Sequence, residues 1–172
     1  MAEWSDLLSE LVASRGSELN RYGFLLCGDR EEACDLVQEA LVRVFTHPRA
    51  SWTVGDVEGY VRRTMLNRFL DLHRRRMRLA QLLPRVVHPA SAPDHAGASG
   101  SRLDLMSALD ALSPRQRACV VLRYFEDLQV ADIADRLGAS PGTVKRHLSD
   151  GLARLNAVLD RPRSTPIGGR QL

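Results

Sequence analysis

Apolar residues recur along this chain at intervals of three and four, and no run of β-branched residues alternates with polar ones long enough to make a sheet. The pattern predicts helices throughout. Leu7, Leu8, Leu11 and Val12 predict one short helix, and Leu19, Tyr22, Leu25 and Leu26 a second that ends near Gly28. Asp29 is placed to cap a third, which runs from about Arg30 to Phe45. Ala33, Leu36, Val37, Ala40, Leu41 and Val44 form its apolar face, and His47 and Pro48 close it. A loop through Ser51, Trp52, Thr53 and Gly55 leads to a helix beginning near Asp56. That helix carries Tyr60, Val61, Met65, Leu66, Phe69, Leu70 and Leu72 into a run of arginines.

The periodicity breaks from Pro84 to Arg102, where Pro, Ala, Ser and Gly concentrate, and this stretch is expected to be a flexible linker. Beyond it, Leu103, Leu105, Met106, Leu109 and Leu112 predict a helix. Ser113, Pro114 and Gln116 then supply the N-cap, first-turn proline and capping-box partner of the next, which carries Ala118, Val120, Val121, Leu122 and Phe125. A short helix over about Val130 to Leu137 is stopped by Gly138, and Ser140 with Pro141 starts another reaching about Leu159. The expected fold is all-α: two small helical domains over residues 1–83 and 103–160, the linker at 84–102, and a disordered tail at 161–172.

Charge sharpens this picture because it is unevenly placed. The formal net charge of the 172-residue chain is only +3, yet residues 1–40 are acidic, and residues 62–85 hold eight arginines against the single acid Asp71. Such a cluster can attract phosphates by counterion release, and it also fits a solvated helix face. Cys27, Cys34 and Cys119 are odd in number and lack CxxC spacing, which argues against a disulfide framework and for a reducing, cytoplasmic setting. A thiol switch through Cys27 and Cys34 is disfavoured, since six residues separate them and no histidine lies close in sequence. No apolar run is long enough for a signal peptide core or a membrane span.

Asp127 to Leu155 has the spacing of a helix-turn-helix. Ile133, Ala134 and Leu137 can bury one face of the first helix, and Val144, Leu148, Leu152 and Leu155 one face of the second. The opposite face of the second helix then presents Thr143, Arg146 and Asp150, flanked by Gly142 and Ser149, to a major groove. Lys145 and His147 lie at the flanks, and backbone N–H groups at Ser140 to Thr143 suit a phosphate. An αα-corner with exposed polar residues is the structural alternative.

Taken together, the two halves resemble the extracytoplasmic-function sigma factors of bacterial RNA polymerase. DREEACDLVQEALVRVF at 29–45 resembles the polymerase-binding helix of region 2, and YVRRTMLNRFLDLHRRRMR at 60–78 its promoter-melting and minus-10-reading helix. The stretch from Ser113 to Leu155 resembles region 4. The resemblance implies a non-enzymatic subunit that joins core polymerase and recognises the minus-10 and minus-35 elements. It places Asp35, Gln38, Glu39 and Arg43 at the β′ clamp, and Asn67, Asp71, Arg74 and Arg75 at the minus-10 element. The loop at 51–56 with Trp52 would receive a flipped base. Thr143, Lys145, Arg146 and Ser149 would lie near the minus-35 element, and region 4 would touch the β flap. An anti-sigma factor is a further candidate partner, and no cofactor or metal is implied.

The chain departs from the family at Tyr60, where tryptophan is common, at Gln129, where a small hydroxyl residue usually opens the helix, and at Cys34, in place of an acid. Asp150 stands where relatives often present a cation, so minus-35 specificity does not carry over. The rival reading is a helix-turn-helix regulator that does not join polymerase. An enzyme is disfavoured, because HExxH, paired-carboxylate and phosphate-loop motifs are all missing.

Overall fold

The computed structural model describes residues 2–47, 52–82 and 100–160, and its architecture is all-α. Helices α1 (Ala2–Cys27), α2 (Arg30–Phe45) and α3 (Val54–Leu82) pack on one another as the first half. The second half comprises α4 (Gly100–Asp110), α5 (Pro114–Tyr124), α6 (Val130–Leu137) and α7 (Pro141–Leu159), with α7 lying against the other three.

The first half differs from expectation at its start. Where the sequence pattern predicts two short helices, α1 is one helix of 26 residues. The Ser14-Arg15-Gly16-Ser17 stretch reads as a break but is not one. The Ser14 hydroxyl donates to the Glu10 carbonyl at 2.6 Å, and the Asn20 amide donates to the Gly16 carbonyl at 2.8 Å, so these polar groups bond along the helix. A mid-helix glycine costs about 1 kcal/mol against alanine. Burial of Leu11, Leu19, Tyr22 and Leu26 along one stripe outweighs it at about 1.5–3 kcal/mol per large side chain.

Helix α2 starts as expected, with the Asp29 carboxylate accepting from the Glu32 N–H at 2.8 Å. Helix α3 starts at Val54, two residues earlier than the pattern suggests. Thr53 is the reason: its hydroxyl accepts from the Asp56 N–H at 3.3 Å while Asp56 Oδ2 accepts from the Thr53 N–H at 2.9 Å, a reciprocal cap. The Thr53 hydroxyl also donates to Asp56 Oδ2, and these bonds hold the Asp56 carboxyl below its ordinary pKa. From Arg74 onward every described residue of α3 is exposed, so the arginine-rich end projects past the bundle.

In the second half, α4 begins at Gly100, inside the stretch expected to be linker. The rest of that stretch lies outside the described residues, as do the expected tail, Pro48, Ser51 and Arg85. Ser113 and Gln116 form the expected capping box, and Gly138 adopts the left-handed conformation (φ 58°) that lets α6 turn into α7. One cluster of buried apolar residues runs through both halves, from Leu11, Leu66 and Phe69 to Leu122, Ile133 and Val144. A second lies among α4, α5 and α7, with Phe24 and Leu25 of α1 packed against it.

Candidate functional site

The residues singled out in α2 share one exposed surface. Asp35, Gln38, Glu39 and Arg43 are all exposed, one helical turn apart from each other or nearly so. Gln38, Glu39 and Arg43 line a groove of about 500 Å³ with Val42, Thr64 and Arg68. Val42 contributes an apolar floor that is 64% exposed. A large apolar residue left open between charged rims is the composition of a protein-binding patch.

Two ion pairs tie this surface to α3. Arg68 Nε donates to Glu39 Oε2 at 2.6 Å, and Arg76 Nη2 donates to Glu32 Oε1 at the same distance. The hydrogen bond it donates to Glu39, reinforced by the carboxylate charge, raises the Arg68 pKa. Neither pairing was legible in the sequence, because each joins helices whose residues lie 29 or 44 positions apart. Arg68 thus joins the two candidate surfaces, a place the sequence reading did not give it. Its signal was its place beside Asn67 and about one turn before Asp71 on the cationic helix.

On α3 itself, Asn67, Asp71, Arg74 and Arg75 are exposed. The first three line a polar cavity of about 480 Å³ that also receives Arg136 and Leu137 from α6. Asp71 accepts from Arg74 Nη1 at 3.0 Å, an exposed pair of the kind that contributes little to stability. Arg75 does not line that cavity and stands on the projecting end. The structure therefore brings together three of the five expected minus-10 residues, leaving Trp52 and Arg75 outside the cavity.

Trp52 sits at the other end of α3 in an aromatic row. Its ring lies 6.4 Å from that of Trp4 and 5.2 Å from that of Tyr60, while Trp4 stacks obliquely on Phe45 and donates to the Phe45 carbonyl at 3.1 Å. Trp52 is half-buried and Tyr60 is 40% exposed. Tyr60 also lines the polar cavity, so the two aromatics are both packed and accessible, and packing alone does not describe Tyr60.

On α7, Lys145, Arg146, Ser149 and Asp150 are exposed while Val144 and Leu155 are buried, which orients the helix as its periodicity requires. Thr143 is half-buried, its hydroxyl 2.9 Å from that of Ser140 and its N–H donating to Ser140 Oγ at 3.1 Å. That cap, with Pro141 having no N–H, leaves fewer donors for a phosphate than the sequence implied. Burial, then the nearby Arg146 and Arg115, lower the His147 pKa. Among the described residues no group of three potential metal ligands occurs, and no helix is long and apolar enough to cross a membrane.

A helical first half with an arginine-rich helix, followed by a helix-turn-helix, is the layout of a two-region sigma subunit, and comparison with known proteins agrees. Residues 11–79 match the sigma-70 region 2 family and residues 102–155 the sigma-70 region 4 family. The ECF RNA polymerase sigma factor SigE of Mycolicibacterium smegmatis is 35% identical over 158 residues, covering 87% of this chain; the chain spans 60% of that relative's length. The RNA polymerase sigma-E factor of Streptomyces avermitilis is 35% identical over 151 residues, covering 88% of this chain and 84% of the relative. Among solved structures, the sigma factor RpoE of Bartonella quintana in complex with the anti-sigma factor NepR superposes with a TM-score of 0.60 at 25% identity, covering 91% of this chain and 97% of that one.

The chain belongs to the extracytoplasmic-function group of RNA polymerase sigma factors. It is a sigma factor, the subunit that lets RNA polymerase initiate transcription at particular promoters. A regulator sharing only the helix-turn-helix would not match over region 2 as well.

Proposed function

We propose that residues 1–83 bind core polymerase through the α2 surface and the minus-10 element through α3, and that residues 103–160 bind the minus-35 element through α7. The observation that carries this reading is the adjacency of the two α2 and α3 surfaces. An exposed apolar groove rimmed by Gln38, Glu39 and Arg43 lies beside the arginine-bearing face of α3 and is joined to it through Arg68. A subunit that must melt DNA on the surface of a larger enzyme needs these two surfaces side by side. The cationic face holds single-strand phosphates, and the aromatic row at Trp52 and Tyr60 offers a stacking platform for an unpaired base.

Thr143, Lys145, Arg146 and Ser149 contact the minus-35 duplex in this reading, with Lys145 on the backbone. Asp150 accepts from a cytosine amino group where one is present and repels phosphate elsewhere. Region 4 reaches the polymerase β flap, and the α2 surface the β′ clamp. The protein works in the cytoplasm and does no catalysis of its own. An anti-sigma factor is a further partner, by analogy with the complex that the Bartonella quintana sigma factor forms with NepR.

The test is run-off transcription on fragmented genomic DNA with purified core polymerase. Discrete transcripts that depend on the protein are expected. Arg74→Ala with Arg75→Ala should reduce open-complex formation by tenfold or more while leaving core binding intact. Gln38→Ala with Glu39→Ala should weaken core binding instead. Normal promoter opening in the first pair, or unchanged core affinity in the second, would remove the corresponding assignment.

A further inference from the structure

Helix α1 begins well before the core it serves. Its first fully buried residue among those described is Leu11, and Trp4 stands about two turns earlier, roughly 10 Å along the axis. Ser5, Asp6, Ser9 and Glu10 between them are exposed, so these turns bury little. What ties this end to the bundle is Trp4 itself, with Leu7 beside it, both packed against the core cluster.

Trp4 makes two kinds of contact. Its indole N–H donates to the Phe45 carbonyl at 3.1 Å. Phe45 is the last residue of α2, and its carbonyl is one of those a helix end leaves without an intrahelical donor, so the indole caps α2. The Trp4 ring lies 4.9 Å from Phe45 and 6.4 Å from Trp52, tilted 49° and 50°. Trp52 passes the contact on, meeting the Tyr60 ring edge-on at 5.2 Å. All three separations fall in the range of attractive aromatic pairs. One hydrogen bond and three ring contacts thus run from the first turn of α1, past the end of α2, to the residue two positions before α3 and on to Tyr60 within it.

Filling space does not by itself call for this arrangement. A hydrogen bond to a fixed helix-end carbonyl sets the plane of the indole as well as its position, and the Trp52 ring is set against that plane. Trp52 and Tyr60 nevertheless remain partly exposed.

We propose that Trp4 is a positioning residue for strand recognition: it holds the Trp52 ring, and through it Tyr60, in the geometry that an unpaired base meets, without touching the base itself. This role rests on the reading of Trp52 and Tyr60 as a stacking platform given above. Its physical basis is preorganisation. A large side chain already held in place loses little freedom when a base stacks on it, whereas a loose one must be ordered at binding, which weakens the complex. An aromatic face accepts any base, so the effect falls on stacking and not on phosphate contacts.

The test compares two short fluorescein-labelled single strands bound to the full chain, one of mixed sequence and one with an abasic sugar at every position. The abasic strand keeps the phosphates and loses the stack. The unmutated protein should bind the base-bearing strand about tenfold more tightly. Trp4→Leu should cut that ratio about threefold or more and leave affinity for the abasic strand unchanged, while Trp4→Phe, which restores a ring, should recover most of it. Should Trp4→Leu melt early, Trp4→Met, which fills more of the space, takes its place. An unchanged ratio, or equal weakening for both strands, would overturn the positioning role. Trp52→Ala separates the two levels: if it leaves the ratio as it was, the stacking platform itself fails, whatever Trp4 does. Trp4 and Trp52 are the only tryptophans of the chain, so Trp52 emission can be read alone in each Trp4 variant. Its anisotropy should be lower in Trp4→Leu than in Trp4→Phe, and equal values would count against Trp4 as the residue that holds it.

Discussion

A thiol reacts as its thiolate, so the three cysteines should behave as three different groups. Burial, with Glu32 adding to it, pushes the Cys27 thiol up to about 12, and burial pushes that of Cys119 up to about 11. Cys34 is exposed, with the Gln38 amide 3.6 Å from its sulfur. A thiol-disulfide indicator at pH 8 should register one fast equivalent in the folded protein and three in denaturant, and Cys34→Ser should abolish the fast phase. His73 gives a pH dependence of defined sign. Burial, then the neighbouring Arg76, lowers its pKa, and its ring meets Phe69 edge-on at 4.6 Å. The unfolded chain therefore binds the proton first as pH falls. Stability from this group is complete above the unfolded value of about 6.5 and is lost as pH falls from there through the folded value. Urea midpoints measured between pH 7.5 and 5 should decline in the wild type and decline less in His73→Gln.

At the scale of elements, caps decide where helices begin, and they also decide what the sequence disclosed. Helices α2, α5 and α7 were legible because Asp29, Ser113 and Ser140 announce them and each side chain makes the expected bond. Helix α3 was placed two residues late because its cap is a threonine answered by an aspartate rather than by Glu or Gln. In α1 a glycine within the Ser14-Arg15-Gly16-Ser17 stretch imitates a boundary, and only tertiary burial on both sides of it decides otherwise. The candidate sites were legible as faces, since helical periodicity fixes which residues point outward. The pairs between faces were not, because sequence carries no register between two helices. Arg117 shows the same limit. It falls on the apolar side of α5, one turn before Val121, but its acceptor is a backbone carbonyl 92 residues away. Helix α6 is the weakly capped element: Gln129 makes no side-chain cap bond. Gln129→Ser should raise thermal stability by about 0.5–1 kcal/mol, and Thr53→Ala should lower it by about 1 kcal/mol, both read from melting curves.

Over the whole molecule, the surfaces proposed for polymerase on α2 and for promoter DNA on α3 are joined by an ion pair. The Glu39 and Arg68 side chains are 53% and 28% exposed, and a pair so placed contributes only about 0.2–1 kcal/mol. Such a bond is easily exchanged. If polymerase engages Glu39 as proposed above, the Arg68 guanidinium loses its anion at the rim of the cavity that holds Asn67 and Arg74. The α3 surface proposed to face the promoter would then carry one more uncompensated positive charge than it does in the free protein. A cation of that kind displaces a counterion from a DNA strand, and each one displaced steepens the dependence of log affinity on log salt by about 0.7 for single-stranded DNA. Glu39→Gln should reproduce that steeper slope without polymerase, in salt titrations of strand binding by the free protein. On the proposed reading, assembly with polymerase acts on DNA binding partly through the ion atmosphere: joining the enzyme changes how many ions the promoter must give up.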